Sequence, residues 1–327
     1  MRVNRVIAAL LAALVVLAGC GGDDESPSAG GENGVTKLNV GVLPIGNAAP
    51  LYLGMKKGFF REERLELSPQ MAQSGNELVT TLLSGHSQVA FLGYVPVIVA
   101  RAKDLPVKVV ANADNGADTA QDEWQVIVSR KGSDIREPAD LRGKTVAVNA
   151  LRGVAEVAIK AALEKEGVDP GSVKLLEVPF PEMPAALQAR RVDAIWAPEP
   201  FLTQSLGQGA QEVLAPYPVL GKAFPNGTYA TTDRYLNENE DVIERFARAM
   251  NRSSQYATEH PDEARAVIPT FTKIPAAAAE KMRLPLWPTE IDRAQLEQLI
   301  GYTQKYGIIE DTFPVEEMIW EGARGTT

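Results

Sequence analysis

From Leu38 onward the chain alternates short runs rich in β-branched residues with segments of helical period, and that alternation constrains the fold more than any single residue does. The strand-forming runs are LNVGVL (38–43), QVAFLG (88–93), VKVVAN (107–112), WQVIVS (124–129), KTVAVN (144–149), VKLLEV (173–178) and VDAIWA (192–197). Helices are expected to begin near Pro50, Glu77, Tyr94, Gly153, Pro181, Pro198 and Glu238. Strand and helix taken in turn imply crossover connections, hence an α/β fold with largely parallel sheets. With 327 residues there is room for two lobes, each with a sizeable core.

A faint internal repeat supports two similar lobes. LLSGHSQVAFLGYVP and ALQARRVDAIWAPEP align at a constant offset, which sets Leu83 on Leu187, Ala90 on Ala194 and Pro96 on Pro200. Both copies read as a helix end, a tight turn, a strand and a proline-stiffened turn. Further on, TYATTDRYL (228–236) reads as a strand returning after the second lobe. The helix behind it carries Val242, Phe246, Ala249 and Met250 on one stripe. The expected division is therefore residues 37–121 with 231–327 as lobe one, and 122–230 as lobe two.

The N-terminal residues belong to neither lobe. Arg2 and Arg5 precede the apolar run VIAALLAALVVLAG, which stops at Cys20, the one cysteine of the chain. That run is short for a membrane span and reads as a secretory signal over residues 1–19. LAGC at 17–20 resembles the bacterial lipobox, in which the cysteine becomes the lipidated first residue. Residues 20–36, polar and glycine-rich, then read as a flexible tether. The expected location is extracytoplasmic, lipid-anchored through Cys20 to a bacterial membrane, with no disulfide to support the fold. The formal charge is −9, and loss of Arg2 and Arg5 would deepen it by two, a balance that opposes nucleic-acid binding.

Four segments in order carry a family resemblance: PLYLGMKKGFF (50–60), GNELVTTLLSGHSQVAF (75–91), DLRGKTVAVN (140–149) and VDAIWAPEPF (192–201). Together they resemble substrate-binding proteins of ABC importers in the nitrate, sulfonate and taurine group. That group also includes thiamine-precursor binders and shares its fold with fungal pyrimidine synthases. The resemblance covers about residues 38–300 and implies a two-lobed periplasmic-binding-protein fold of type II, with a two-strand hinge and a ligand cleft between the lobes. The partners it implies are a small-molecule ligand and an ABC permease with its ATPase. No cofactor or metal is expected, and a monomer is the family default.

Ligands of open α/β sheets bind beyond the carboxyl ends of the strands, which names the candidate residues. After the first strand come Gly46, Asn47 and Ala48, where glycine allows close approach and the carboxamide offers donor and acceptor. Ser74, Gly75, Asn76 and Glu77 fit an S-x-x-E capping box, whose free N–H groups and positive dipole end suit an anionic group. Gly93 leaves space beside Tyr94, which is placed to stack or donate, whereas Phe91 reads as core. In lobe two the candidates are Asn149, Leu151, Arg152 and Gly153. Many relatives have a small hydroxyl residue here, so Arg152 is the substitute that would grip a carboxylate or sulfonate. Trp196 offers a flat wall fixed by Pro198 and Pro200, and Glu199 lies between the two prolines, placed to meet a cationic group, cap the helix or contact the importer.

These residues favour capture of a small organic anion, sulfonate-like or an aromatic carboxylate, with a thiamine-type pyrimidine as the alternative. An enzyme is disfavoured. His86 and His260 are the only histidines, and no Ser-His-Asp spacing, HExxH, CxxC or phosphate loop is present. A transcription-regulator effector domain would need a DNA-binding helix pair where the signal segment stands.

Overall fold

The computed structural model describes residues 34–323. The signal segment, Cys20 and most of the expected tether lie outside the described residues.

Ten strands form two five-stranded sheets. The first contains β1 (Thr36–Val42), β2 (Leu65–Met71), β3 (Val89–Gly93), β4 (Val107–Asn115) and β10 (Pro225–Thr232). The second contains β5 (Gln125–Ser129), β6 (Thr145–Val148), β7 (Lys174–Glu177), β8 (Ala194–Pro198) and β9 (Gln211–Leu214). Their orders are β2-β1-β3-β10-β4 and β7-β6-β8-β5-β9. In each sheet a central strand pairs in parallel with two neighbours: β1 with β2 and β3, β6 with β7 and β8. Each then carries one antiparallel strand, β10 or β5, next to its last member. The same order in both sheets puts β3 and β8 at equivalent places, each preceded by a helix (Gly75–Leu83 and Met183–Gln188).

Two strands are not among those expected. β2 (LELSPQM) contains Pro69, which argues against a central strand. It is an edge strand, where a missing N–H costs no ladder bond. β9 (QEVL) is a four-residue edge strand, too short to show its period.

Several boundaries shift. Thr36, expected in the tether, opens β1. The return strand begins at Pro225, so the expected lobe boundary at 231 falls inside β10, which pairs with β3 and β4. Pro198 ends β8, and the helix after it starts at Phe201. The helix expected from Glu238 is the twenty-residue Glu240–Glu259, preceded by the short helix Asp233–Glu238.

The chain passes from the first sheet to the second between Asn115 and Gln125 and returns between Leu214 and Pro225, and the two crossings lie side by side, Gly116 N–H donating to the Phe224 carbonyl at 2.9 Å. Bonds beyond the crossings tie the C-terminal segment to the second lobe. Arg283 pairs with Glu212 at 2.6 Å, and Lys305 and Tyr306 both reach Glu164 at 2.6 Å. Among the described residues no helix is long and apolar enough to cross a membrane.

Candidate functional site

β1, β3, β6 and β8 all end at a narrow crevice of about 50 Å3 between the sheets, as the carboxyl-end rule requires. Its walls are aromatic. Trp196 of β8 lies 6.0 Å from Phe180, which stacks on Phe201 at 5.9 Å. Trp124 and Phe91 line it too, the latter 5.6 Å from Tyr229. Trp124 is fixed by its indole N–H, which donates to the Asn115 carbonyl at 3.2 Å.

Three helix starts face the crevice. Gly75 is the first residue of Gly75–Leu83, while Gly93 and Gly153 cap Tyr94–Arg101 and Val154–Lys165. Each presents the partial positive end of a helix dipole. At Gly93 the lobes come close, and a Cβ there would sit 3.3 Å from Cγ1 of Val154 in the opposite lobe.

Three buried carboxyls lie beneath and beside the crevice, and the Arg283 guanidinium, donating to the Glu123 carbonyl at 3.1 Å, lies beside two of them. Asp114, at the end of β4 and fully buried, accepts from Asn47 Nδ2 at 2.9 Å and Asn226 Nδ2 at 2.6 Å, and Asn226 Oδ1 in turn accepts from Tyr217 at 2.6 Å. Burial pushes Asp114 up to about 7, against the two amide donors that hold it down. Glu123, accepting from the backbone N–H groups of Ala117 and Gln125, is pushed by burial to about 8. Glu199, accepting from Thr203 and the Arg283 N–H, is pushed by burial to about 7. No lysine or arginine among the described residues lines the crevice. Four buried polar atoms of its lining have no hydrogen-bond partner among the described residues: Asn47 Oδ1, Gln125 Oε1 and Nε2, and Trp196 Nε1.

Of the residues named from sequence, Asn47, Gly75, Gly93, Asn149, Gly153 and Trp196 come together in this lining. The others do not line it. Tyr94 is wholly buried and donates to Asn112 at 2.9 Å, a core role. Ser74 accepts from the Glu77 N–H, but the Glu77 carboxylate turns back to the Gln73 N–H at 2.7 Å, so the cap is extended by one residue. Gly46 and Glu199 meet each other across the lobes, Gly46 N–H donating to the Glu199 carbonyl at 2.9 Å. Ala48 is buried beside them, Asn76 lies outside the lining, and Leu151 is exposed. Arg152 is the main departure: it adopts φ 57 in its turn, and its guanidinium donates to the Ile308 carbonyl rather than into the crevice.

Unforeseen are Trp124, Gln125, Phe180, Asn226 and Gly227, and Phe91 is lining rather than plain core. Gln125 opens β5 and Asn226 is the second residue of β10, the two antiparallel strands, whose amino ends lie where the other strands end. That reversal of direction is the signal that would have found them.

Two lobes of equal strand order, joined by paired crossings and meeting at an aromatic crevice, define a two-lobed periplasmic-binding-protein fold. The alkanesulfonate-binding protein SsuA of Xanthomonas axonopodis pv. citri, solved bound to MOPS, superposes with a TM-score of 0.71, covering 87% of this chain and 98% of that one at 18% identity, a likeness of fold. The NMT1/THI5-like family model matches residues 45–264, and the chain belongs to that family. Curated relatives include the putative binding protein YtlA of Bacillus subtilis strain 168, 25% identical over 65% of this chain and 63% of its own length. The formylaminopyrimidine-binding protein of Halalkalibacterium halodurans is 27% identical over 81% of this chain and 78% of its own.

Proposed function

We propose that this protein is the extracytoplasmic substrate-binding component of an ABC importer and that it captures a small, uncharged or weakly basic heteroaromatic compound of the aminopyrimidine type. The observation that carries the ligand class is the crevice itself: aromatic walls, free carboxamide and indole groups, and no lysine or arginine in its lining among the described residues. A flat ring gains area against Trp196 and Trp124, while its ring nitrogens and amino groups meet the unpartnered polar atoms. The name of the formylaminopyrimidine-binding relative supports the same class. The organic anion favoured from sequence loses its main support with Arg152 engaged elsewhere. It keeps one: three helix starts face the crevice.

A thermal-shift titration of the purified chain separates the two readings. At one hundred times its dissociation constant, a ligand adds about 2.7 kcal/mol. Formylaminopyrimidine should raise the melting temperature and taurine should not, and Trp196→Ala should weaken that binding by about tenfold or more. A shift with taurine alone would overturn the heteroaromatic reading in favour of the anion.

The rest of the proposal is anchoring and delivery: removal of residues 1–19, lipidation of Cys20, and a monomer handing its ligand to a permease. Cys20→Ser should move the protein from the membrane fraction to the soluble one, and persistence in the membrane would refute the anchor.

A further inference from the structure

The crevice is asymmetric in what it asks of a guest. A carboxamide can point either of its ends outward, and the two ends differ little in shape, so something must choose between them. At Asn47 the choice is made from below. Nδ2 lies 2.9 Å from Asp114 Oδ2, and the other Asp114 oxygen takes Nδ2 of Asn226 at 2.6 Å. Above about pH 7 Asp114 is ionised, and an ionised carboxylate accepts and never donates, so there both amides must turn their NH2 groups toward it. Asn226 then spends its oxygen on the Tyr217 hydroxyl, whereas Asn47 Oδ1 is left in the crevice lining with no partner among the described residues. Asp114 is wholly buried and is not itself part of the lining. Gly227 makes this stacking possible, because a Cβ there would come within 2.2 Å of Asp114 Oδ2.

We infer that Asp114 is a positioning residue for specificity: by holding the Asn47 carboxamide with its oxygen toward the crevice, it obliges the ligand to bring a hydrogen-bond donor to that spot. The inference rests on the reading of the crevice as the ligand site. An acceptor-only group such as a sulfonate would set its lone pairs against Asn47 Oδ1 and leave that oxygen buried and unpaired, whereas an amino group on a ring fills the need. Leaving a buried acceptor unpaired is worth about tenfold in affinity.

The test uses Asp114→Asn, which keeps size and shape but supplies its own NH2, so that Asn47 can turn over. At pH 8, the full chain is titrated with 4-amino-2-methylpyrimidine and with 2,4-dimethylpyrimidine, which lacks the donor. The side-chain NH2 signals of Asn47 are followed by 15N NMR with an Asn47→Ser control for assignment. The original protein should prefer the amino compound by about tenfold, and Asp114→Asn should erase that preference while the Asn47 NH2 loses its protection from exchange. An undiminished preference in Asp114→Asn overturns the role of Asp114 and leaves the proposed function standing. If neither pyrimidine binds the original protein, the proposed function fails, and the NMR decides the inference alone. An Asn47 NH2 protected in the original and released in Asp114→Asn supports it; one that exchanges freely in the original refutes it.

Discussion

Between pH 5 and 8 the protein should become less stable as the pH rises, opposite to what paired surface carboxylates produce. Asp114 ordinarily ionises at 3.8 and is pushed by burial to about 7. Glu199 and Glu123, ordinarily at 4.5, are pushed to about 7 and about 8 by the same cause. In the unfolded chain all three have lost their protons by pH 5 or soon after, while the folded protein keeps them. The folded state therefore binds more protons across this window, and stability falls until the pH passes the folded values. For Asp114 alone, the two pH units from 5 to 7 are worth about 2 to 3 kcal/mol. Glu123 lies in the field of Asp114, as do Tyr94, Tyr217 and Tyr229, so the losses do not simply add. The exposed carboxylates with lowered values, Glu263, Glu164 and Asp140, titrate below their ordinary values and leave this window to the buried three. Urea unfolding followed by tryptophan fluorescence at unit steps of pH measures the slope. Asp114→Asn should flatten it by about the amount given for Asp114. Stability that is level or increases from pH 5 to 8 would refute the assignment of these carboxyls as protonated in the fold.

Arg152→Ala should cost about 1 kcal/mol of stability, since the guanidinium bonds to the Ile308 carbonyl, and should leave the preference between neutral and anionic ligands unchanged. Selective loss of an anionic ligand in that variant would return Arg152 to the site. Gly54→Ala should lower stability by about 1 to 3 kcal/mol, because helix Ala49–Lys57 crosses Glu240–Glu259 so closely that a Cβ would meet Ser253 Oγ at 1.9 Å and Phe60 Cε2 at 2.9 Å. Ser253→Gly should recover part of the loss, and an unchanged melting temperature would mean that the helices separate freely.

The fold was legible because its information is local: the inner parallel strands β1, β3, β6 and β8 are buried runs, and the longer helices have their own period, whereas the edge strand β2 lacks that signal. Half of the site was legible for a related reason. The carboxyl ends of the parallel strands point at the crevice, which makes Asn47, Gly93, Asn149 and Trp196 readable from the sequence, although Tyr94 beside Gly93 turns into the core. Gln125, Asn226 and Gly227 lie at the starts of strands that run the other way, and strand direction is a property of pairing rather than of composition. Arg152 failed differently. Its partner, the Ile308 carbonyl, lies far along the chain, and no periodicity links the two. Asp114 was invisible because it lies two residues past the expected run 107–112, and nothing local marks the two amides that meet it from elsewhere in the chain.

The reversed strands also explain why recognition and closure are joined in one network. β4 leaves the first lobe and β10 returns to it, so Asp114 at the end of one and Asn226 at the start of the other stand together at the crossings. Asn47 reaches Asp114 from lobe one, and Tyr217 reaches Asn226 from the lobe-two side. A ligand donor placed on Asn47 Oδ1 thus polarises a chain of hydrogen bonds that passes through both crossings, and such chains strengthen cooperatively. The direct bonds between the lobes include Gly46 to Glu199, Arg283 to Glu199 and to Glu212, Arg152 to Ile308, and Lys305 and Tyr306 to Glu164. A ligand shifts any balance between parted and joined lobes only by its difference in affinity for the two. The alignment of Asn47 by Asp114 makes that difference depend on whether the ligand carries the matching donor.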